Sequence, residues 1–220
     1  SKGNVEVYLT EIKRLQEKYA GQIELYVGME IDYLNDDWGP AVEYFQRMPL
    51  DYRIGSVHLV TEEQTGEIMD MDGMFEDFRE NLRLVFHDDL RYLVEAYFKA
   101  SSRMVELGGF DFVAHLDKIS MNGSLMDSTL TEQEWYNRLL WDYMSLIAKK
   151  GVMVEVNTKA YTKKGMMFPN VKYFKWLKEL NIPVMVNSDA HLPQLVNDNR
   201  ALGVSLKVTS DFLYPIVVAV

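Results

Sequence analysis

The stretch "VNSDAHLP", residues 186–193, sets a carboxylate and an imidazole two residues apart, at Asp189 and His191. Both are donors for a divalent cation, and both can carry a proton. Each alone also has a structural reading, since an Asp can cap a turn and a strand-end His can hydrogen-bond locally. What matters is the company they keep. "YVGMEIDY" carries Glu30, "RIGSVH" ends in His58, and "FDFVAH" ends in His115 with Asp117 two residues on. "VMVEVNTK" ends in Asn157, Thr158 and Lys159. Three of the chain's four histidines therefore follow apolar runs. The fourth, His87, lies in the charged segment "FHDDLR" and reads as a solvated helix end.

Imidazole and carboxylate are the donors a thiol-free site offers to Zn²⁺, Mn²⁺ or Fe. The chain has no cysteine, so any metal must rest on His, Asp and Glu. A carboxylate such as Glu30 or Asp189 can bridge two ions about 3.5–4 Å apart, a spacing that activates water and clamps the oxygens of a phosphate ester. The candidate phosphate contacts are Asn157, Lys159 and Arg53. Lys163 and Lys164 in "NTKAYTKKG" read either as further phosphate contacts or as a solvated basic loop.

These groups need a scaffold that brings strand ends together. Apolar spacings of three and four predict helices over residues 5–19, 41–47 and 171–180. Two more fall between 74 and 107, broken near His87 and Asp88 and stopped by Gly108 and Gly109. Another runs from Thr131 to about residue 150, opened by a capping box of Thr131 and Glu134. Strands are predicted over 22–28, 52–60, 110–115 and 151–157, and in "IPVMVNSDAH". The alternation predicts an α/β fold with a parallel sheet and outer helices. In a parallel barrel the C-terminal strand ends share one face, where active sites are built. The closing "YPIVVAV" reads as a strand or an apolar edge.

The bulk numbers agree. A chain of 220 residues that is 48% hydrophobic can bury a core in one domain. A net charge of −10 argues against nucleic acid or an anionic membrane as partner. No apolar run approaches 18 residues, and a soluble cytoplasmic protein is the expectation.

In order and spacing, "GMEIDY", "DYRIGSVH", "FDFVAHLDK", "VEVNT" and "VNSDAH" resemble the polymerase and histidinol phosphatase (PHP) family. The resemblance is greatest to its stand-alone histidinol-phosphatase branch and covers roughly residues 5–195. It implies a distorted (βα)7 TIM-like barrel, with residues 1–220 forming one domain that lacks its first strand. It also implies a metal-dependent phosphomonoesterase that hydrolyses L-histidinol phosphate in histidine biosynthesis. Two or three divalent ions (Zn, Mn or Fe) would serve the complete protein. Carried over by position, Glu30 is a bridging ligand, His58 and His115 hold one ion, and Asp189 and His191 serve the others. Glu30, Asp189 and His191 are the implied catalytic set, and Lys159 is the nearest match to a phosphate-holding basic residue. The family's opening His-x-His motif has no match here, and residues 200–220 depart from the pattern. The expectation is that about 60–80 residues of the barrel lie before Ser1, and that this chain alone holds fewer ions. Self-association could cover an opened barrel edge. Two alternatives stay open: a related phosphatase acting on phosphotyrosine or another small ester, and a non-catalytic remnant that binds metal or ligand.

Overall fold

A computed structural model describes residues 2–192, 195 and 217–219. After helix α1 (Lys2–Lys18) the chain forms β1 (Gly28–Asp32), the short α2 (Glu43–Gln46) and β2 (Tyr52–Ser56). A hairpin of β3 (Leu59–Thr61) and β4 (Ile68–Asp70) precedes α3 (Phe75–Phe86) and α4 (Leu90–Leu107). Next come β5 (Phe112–Val113), α5 (Ser120–Met126), α6 (Glu134–Lys150) and β6 (Met153–Asn157). The chain continues through α7 (Tyr161–Lys164), α8 (Phe174–Glu179), β7 (Val184–Asn187) and β8 (Val217–Ala219).

Six strands form one sheet in the order β1-β2-β5-β6-β7-β8, and every neighbouring pair is parallel. Spatial order follows chain order, as in the wall of a (βα) barrel and unlike a doubly wound sheet. The expected α/β parallel architecture is therefore present. Its core lies between sheet and helices. Val154, Val156, Val184 and Val186 from the strands join Phe78, Leu82, Leu93, Leu140 and Ile147 from α3, α4 and α6. Among the described residues no helix is long and apolar enough to cross a membrane.

Local signals explain most boundaries. His87 and Asp88 adopt left-handed backbone (φ 54° and 64°), which ends α3 where the sequence predicts a break. Asp89 then caps α4 by accepting the Tyr92 N–H at 2.9 Å. Gly151, at φ 68°, closes α6.

Three expectations need correction. The first strand spans Gly28–Asp32, not residues 22–28, so Glu30 lies within the strand and not beyond it. Sheet pairing starts only at Gly28, opposite Tyr52, and a Cβ at Gly28 would lie 2.1 Å from the Tyr52 ring. The strand predicted over 52–60 ends at Ser56, and residues 59–61 pair instead with Ile68–Asp70. The capping box does not form. Helix α6 starts at Glu134 behind Gln133, which makes no side-chain cap bond, and the Thr131 hydroxyl accepts the Lys172 ammonium at 2.9 Å. Of the atypical residues 200–220, Val217–Ala219 form a strand beside β7; the rest lie outside the described residues.

Candidate metal centre

Successive strand residues alternate faces, so Glu30 and Asp32 point the same way from β1. Asp32 Oδ1 accepts the Ser56 hydroxyl at 3.1 Å and the His58 backbone N–H at 3.1 Å, and lies 2.7 Å from His58 Nδ1. In the neutral ring Nδ1–H therefore donates to Asp32 and leaves the Nε2 lone pair for a cation, the usual carboxylate–histidine support of a metal ligand. His58 Nε2 lies 3.8 Å from Glu30 Oε1.

His115 follows the two-residue β5 and reaches the same carboxylate, with Nε2 3.2 Å from Glu30 Oε1. It is buried, its backbone sits at φ 20°, and its N–H donates to Glu155 Oε2 at 2.9 Å. The two imidazole rings meet edge to face at 4.7 Å between centroids. One donor atom each from Glu30, His58 and His115 falls within 4.8 Å of the others. One carboxylate oxygen and two imidazole nitrogens suit Zn²⁺, Mn²⁺ or Fe²⁺, with room for water or substrate as a further ligand.

The electrostatics prepare these donors. Burial pushes the Glu30 carboxyl upward, but the His115 hydrogen bond and the two imidazoles outweigh it and pull its pKa down to about 2. Glu30 is thus ionised at neutral pH. Burial disfavours a charged His58, yet the hydrogen bond and charge of Asp32 raise its pKa above the ordinary value. Burial likewise opposes ionisation of Asp32, and His58 and Ser56 overcome it.

A second cluster stands on the loops after β6 and β7. Lys159 Nζ lies 3.2 Å from Asp189 Oδ2 and 3.2 Å from His191 Nε2. Asn157 Nδ2 donates to Asp189 Oδ2 at 3.1 Å. His191 Nδ1 lies 3.0 Å from the Asp189 carbonyl, so its Nε2 lone pair faces the lysine. Both clusters line one open cavity of about 270 Å³, and Asp72 and Lys118 close its wall as an ion pair at 3.2 Å. All five residues predicted as ligands thus border a single space. Lys163 and Lys164 lie on α7, against an adjoining cavity of about 390 Å³ shared with Asn157, Lys159 and His191.

Arg53 is not brought to this space. Its guanidinium donates to the carbonyls of Phe45, Gln46 and Met48, near the start of its strand. That end of the sheet is opposite the cluster. Sequence reasoning missed Asp32, Asp72, Lys118 and Glu155. Asp32 carried a signal, since it sits two residues after Glu30 on a strand. Asp72 follows the unforeseen hairpin and carried none.

A family model described as PHP domain matches residues 3–159. The chain belongs to the PHP domain family. This PHP chain is 25% identical over 192 residues to a Deinococcus radiodurans protein named "Probable histidinol-phosphatase", an alignment covering 84% of the chain and 65% of that protein. The chain therefore spans less than two thirds of the length of that relative. A Listeria monocytogenes crystal structure, named as a candidate histidinol phosphatase, superposes with a TM-score of 0.75 at 21% identity, over 91% of this chain and 76% of that one. Histidinol phosphate phosphatase from Lactococcus lactis, complexed with Zn, L-histidinol and phosphate, superposes with a TM-score of 0.69 at 17% identity, over 97% and 76%. Both establish the shared fold.

Asp32→Asn keeps the shape beside His58 and removes the charge. Partners behind a metal ligand are worth about 10–100-fold in affinity. Titration calorimetry with Mn²⁺ or Zn²⁺ is expected to show a loss of that size. Wild-type affinity would mean that Asp32 does not tune the site.

Proposed function

We propose that this PHP chain forms the core of a metal-dependent phosphomonoesterase that hydrolyses L-histidinol phosphate to L-histidinol and phosphate, a step of histidine biosynthesis. One observation carries the reading: Glu30 from within β1 converges with His58 and His115 beyond the ends of β2 and β5, and the three share a cavity with Asp189, His191 and Lys159. The names of its relatives and the ligands of the Lactococcus lactis structure support the choice of substrate.

Glu30, His58 and His115 hold one divalent ion, and Asp189 and His191 contribute to a second site. Bound ions would supply Lewis acidity and lower the pKa of a coordinated water. The chain does the rest. Asp32 fixes the His58 ring, and Asn157 holds Asp189. Lys159 stands between Asp189 and His191 and neutralises phosphoryl oxygens entering the cavity. His191 presents its Nε2 lone pair beside the Lys159 ammonium at the rim, where it would serve the second site.

A second reading keeps the chemistry and changes the ester. Lys118 in the adjoining cavity is paired with Asp72 and Lys159 with Asp189, but Lys163 and Lys164 add positive charge there, which favours a substrate with a second anionic group over a cationic amino alcohol. The test is phosphate release by the longest natural form of the protein, loaded with Mn²⁺ or Zn²⁺, on histidinol phosphate, phosphotyrosine and a bisphosphate sugar. Preference for histidinol phosphate by at least about 10²-fold in kcat/KM is expected. Preference for the bisphosphate would select the second reading. No release from any ester by the metal-loaded protein would refute both.

A further inference from the structure

Glu155 lies in the middle of β6, within a strand of apolar residues, and only 2% of its surface is exposed. It lines neither cavity, and nothing above assigns it a task. A carboxylate buried this deeply is costly unless donors fill its oxygens. Three donors do so. His115 N–H reaches Oε2 at 2.9 Å, Asn157 Nδ2 reaches Oε2 at 3.0 Å, and Asn187 Nδ2 reaches Oε1 at 2.6 Å. They come from three adjacent strands or strand ends, those of β5, β6 and β7.

Neither asparagine is free to turn its amide. Asn157 Oδ1 accepts the Lys159 backbone N–H at 3.1 Å, and Asn187 Oδ1 accepts the Asp189 backbone N–H at 3.1 Å. Each NH₂ group is thereby aimed at Glu155, and that of Asn157 also reaches Asp189 Oδ2. Among the described residues every partner of Glu155 is a donor, so a group that accepts at both ends fits. The network also ends on two residues with left-handed backbone, His115 at φ 20° and Asp189 at φ 47°. Such backbone persists in non-glycine residues where the surroundings hold it.

We propose that Glu155 is a positioning residue that couples the two halves of the cavity. It sets His115 through its backbone and sets Asp189 through Asn157 and Asn187. The consequence for metal binding rests on the metal reading given above; the consequence for the backbone does not.

Glu155→Gln tests this. Whichever way the new amide turns, its NH₂ faces at least one donor, and the arrangement facing Asn187 alone disturbs the fewest. Asn187 must then lose its partner or turn away from Asp189. Adding Asn187→Asp restores a donor–acceptor contact with Gln at 155, at unchanged total charge, and still offers an oxygen to the Asp189 N–H. Two readouts are needed: Co²⁺ affinity with its visible spectrum, and hydrogen exchange of the Asp189 amide by NMR.

The single variant is expected to bind Co²⁺ about 10–100-fold more weakly and to exchange the Asp189 amide more than about tenfold faster. The double variant is expected to recover most of both. A folded single variant with wild-type exchange overturns the proposal, as does a double variant that folds without recovery. If the single variant does not fold, the double variant decides alone, and its failure to fold or to protect the amide is equally fatal. A wild-type chain that binds no Co²⁺ counts against the metal reading, and amide exchange then decides the role of Glu155.

Discussion

Glu30→Ala is expected to weaken binding of the first divalent ion by roughly 10²-fold or more, because groups that merely support a ligand are already worth about 10–100-fold. The carboxylate is the only anion among the three converging donors, and its oxygen lies 3.2 Å and 3.8 Å from the two imidazoles. Without it, two neutral rings face one another with no charge to hold a dication. Catalysis should fall at least in proportion. The fold should survive, since the side chain is partly exposed and the core is built from residues such as Phe78, Leu140 and Val154. Calorimetric titration beside a thermal melt separates the effects. A variant that melts like wild type and binds metal like wild type would remove Glu30 from the centre.

Asp189→Ala is expected to have the second-largest effect, weakening the second site and lowering kcat by about 10–100-fold. Asp189 receives Asn157 and Lys159 and stands 3.2 Å from the His191 ring. Removing it releases Lys159 and leaves His191 without its neighbouring carboxylate. His191→Ala is the companion variant. If both sit on a second ion, each lowers the bound metal per chain. Unchanged stoichiometry in both would take the pair out of the metal shell and leave them as substrate contacts.

Much of this site could be read from the chain because its residues occur where a strand stops. Period and polarity mark strand ends well: His58, His115, Asn157 and Asp189 each close an apolar run. The helix break at His87 and Asp88 was equally legible, for two consecutive residues interrupt an apolar stripe. What sequence hides is partnership. Thr131 and Glu134 have the spacing of a capping box, but Lys172, far along the chain, takes the hydroxyl. Arg53 looks like a phosphate contact until the carbonyls at the end of α2 are seen to occupy its guanidinium. Glu155 was visible as an acid inside the run "VMVEVN", yet its value depends on two asparagine amides fixed from their far sides. Burial then pushes its carboxyl pKa upward, which no local spacing foretells.

The central claim is that Glu30, His58 and His115 together hold a divalent ion at the C-terminal edge of the sheet. Anomalous diffraction from crystals soaked in Mn²⁺ or Zn²⁺ tests it most directly. The predicted result is an anomalous peak bounded by the Glu30 carboxylate and the Nε2 atoms of both histidines, with any second peak toward Asp189 and His191. Well-occupied metal elsewhere in the crystal, and none between those three side chains, would contradict it.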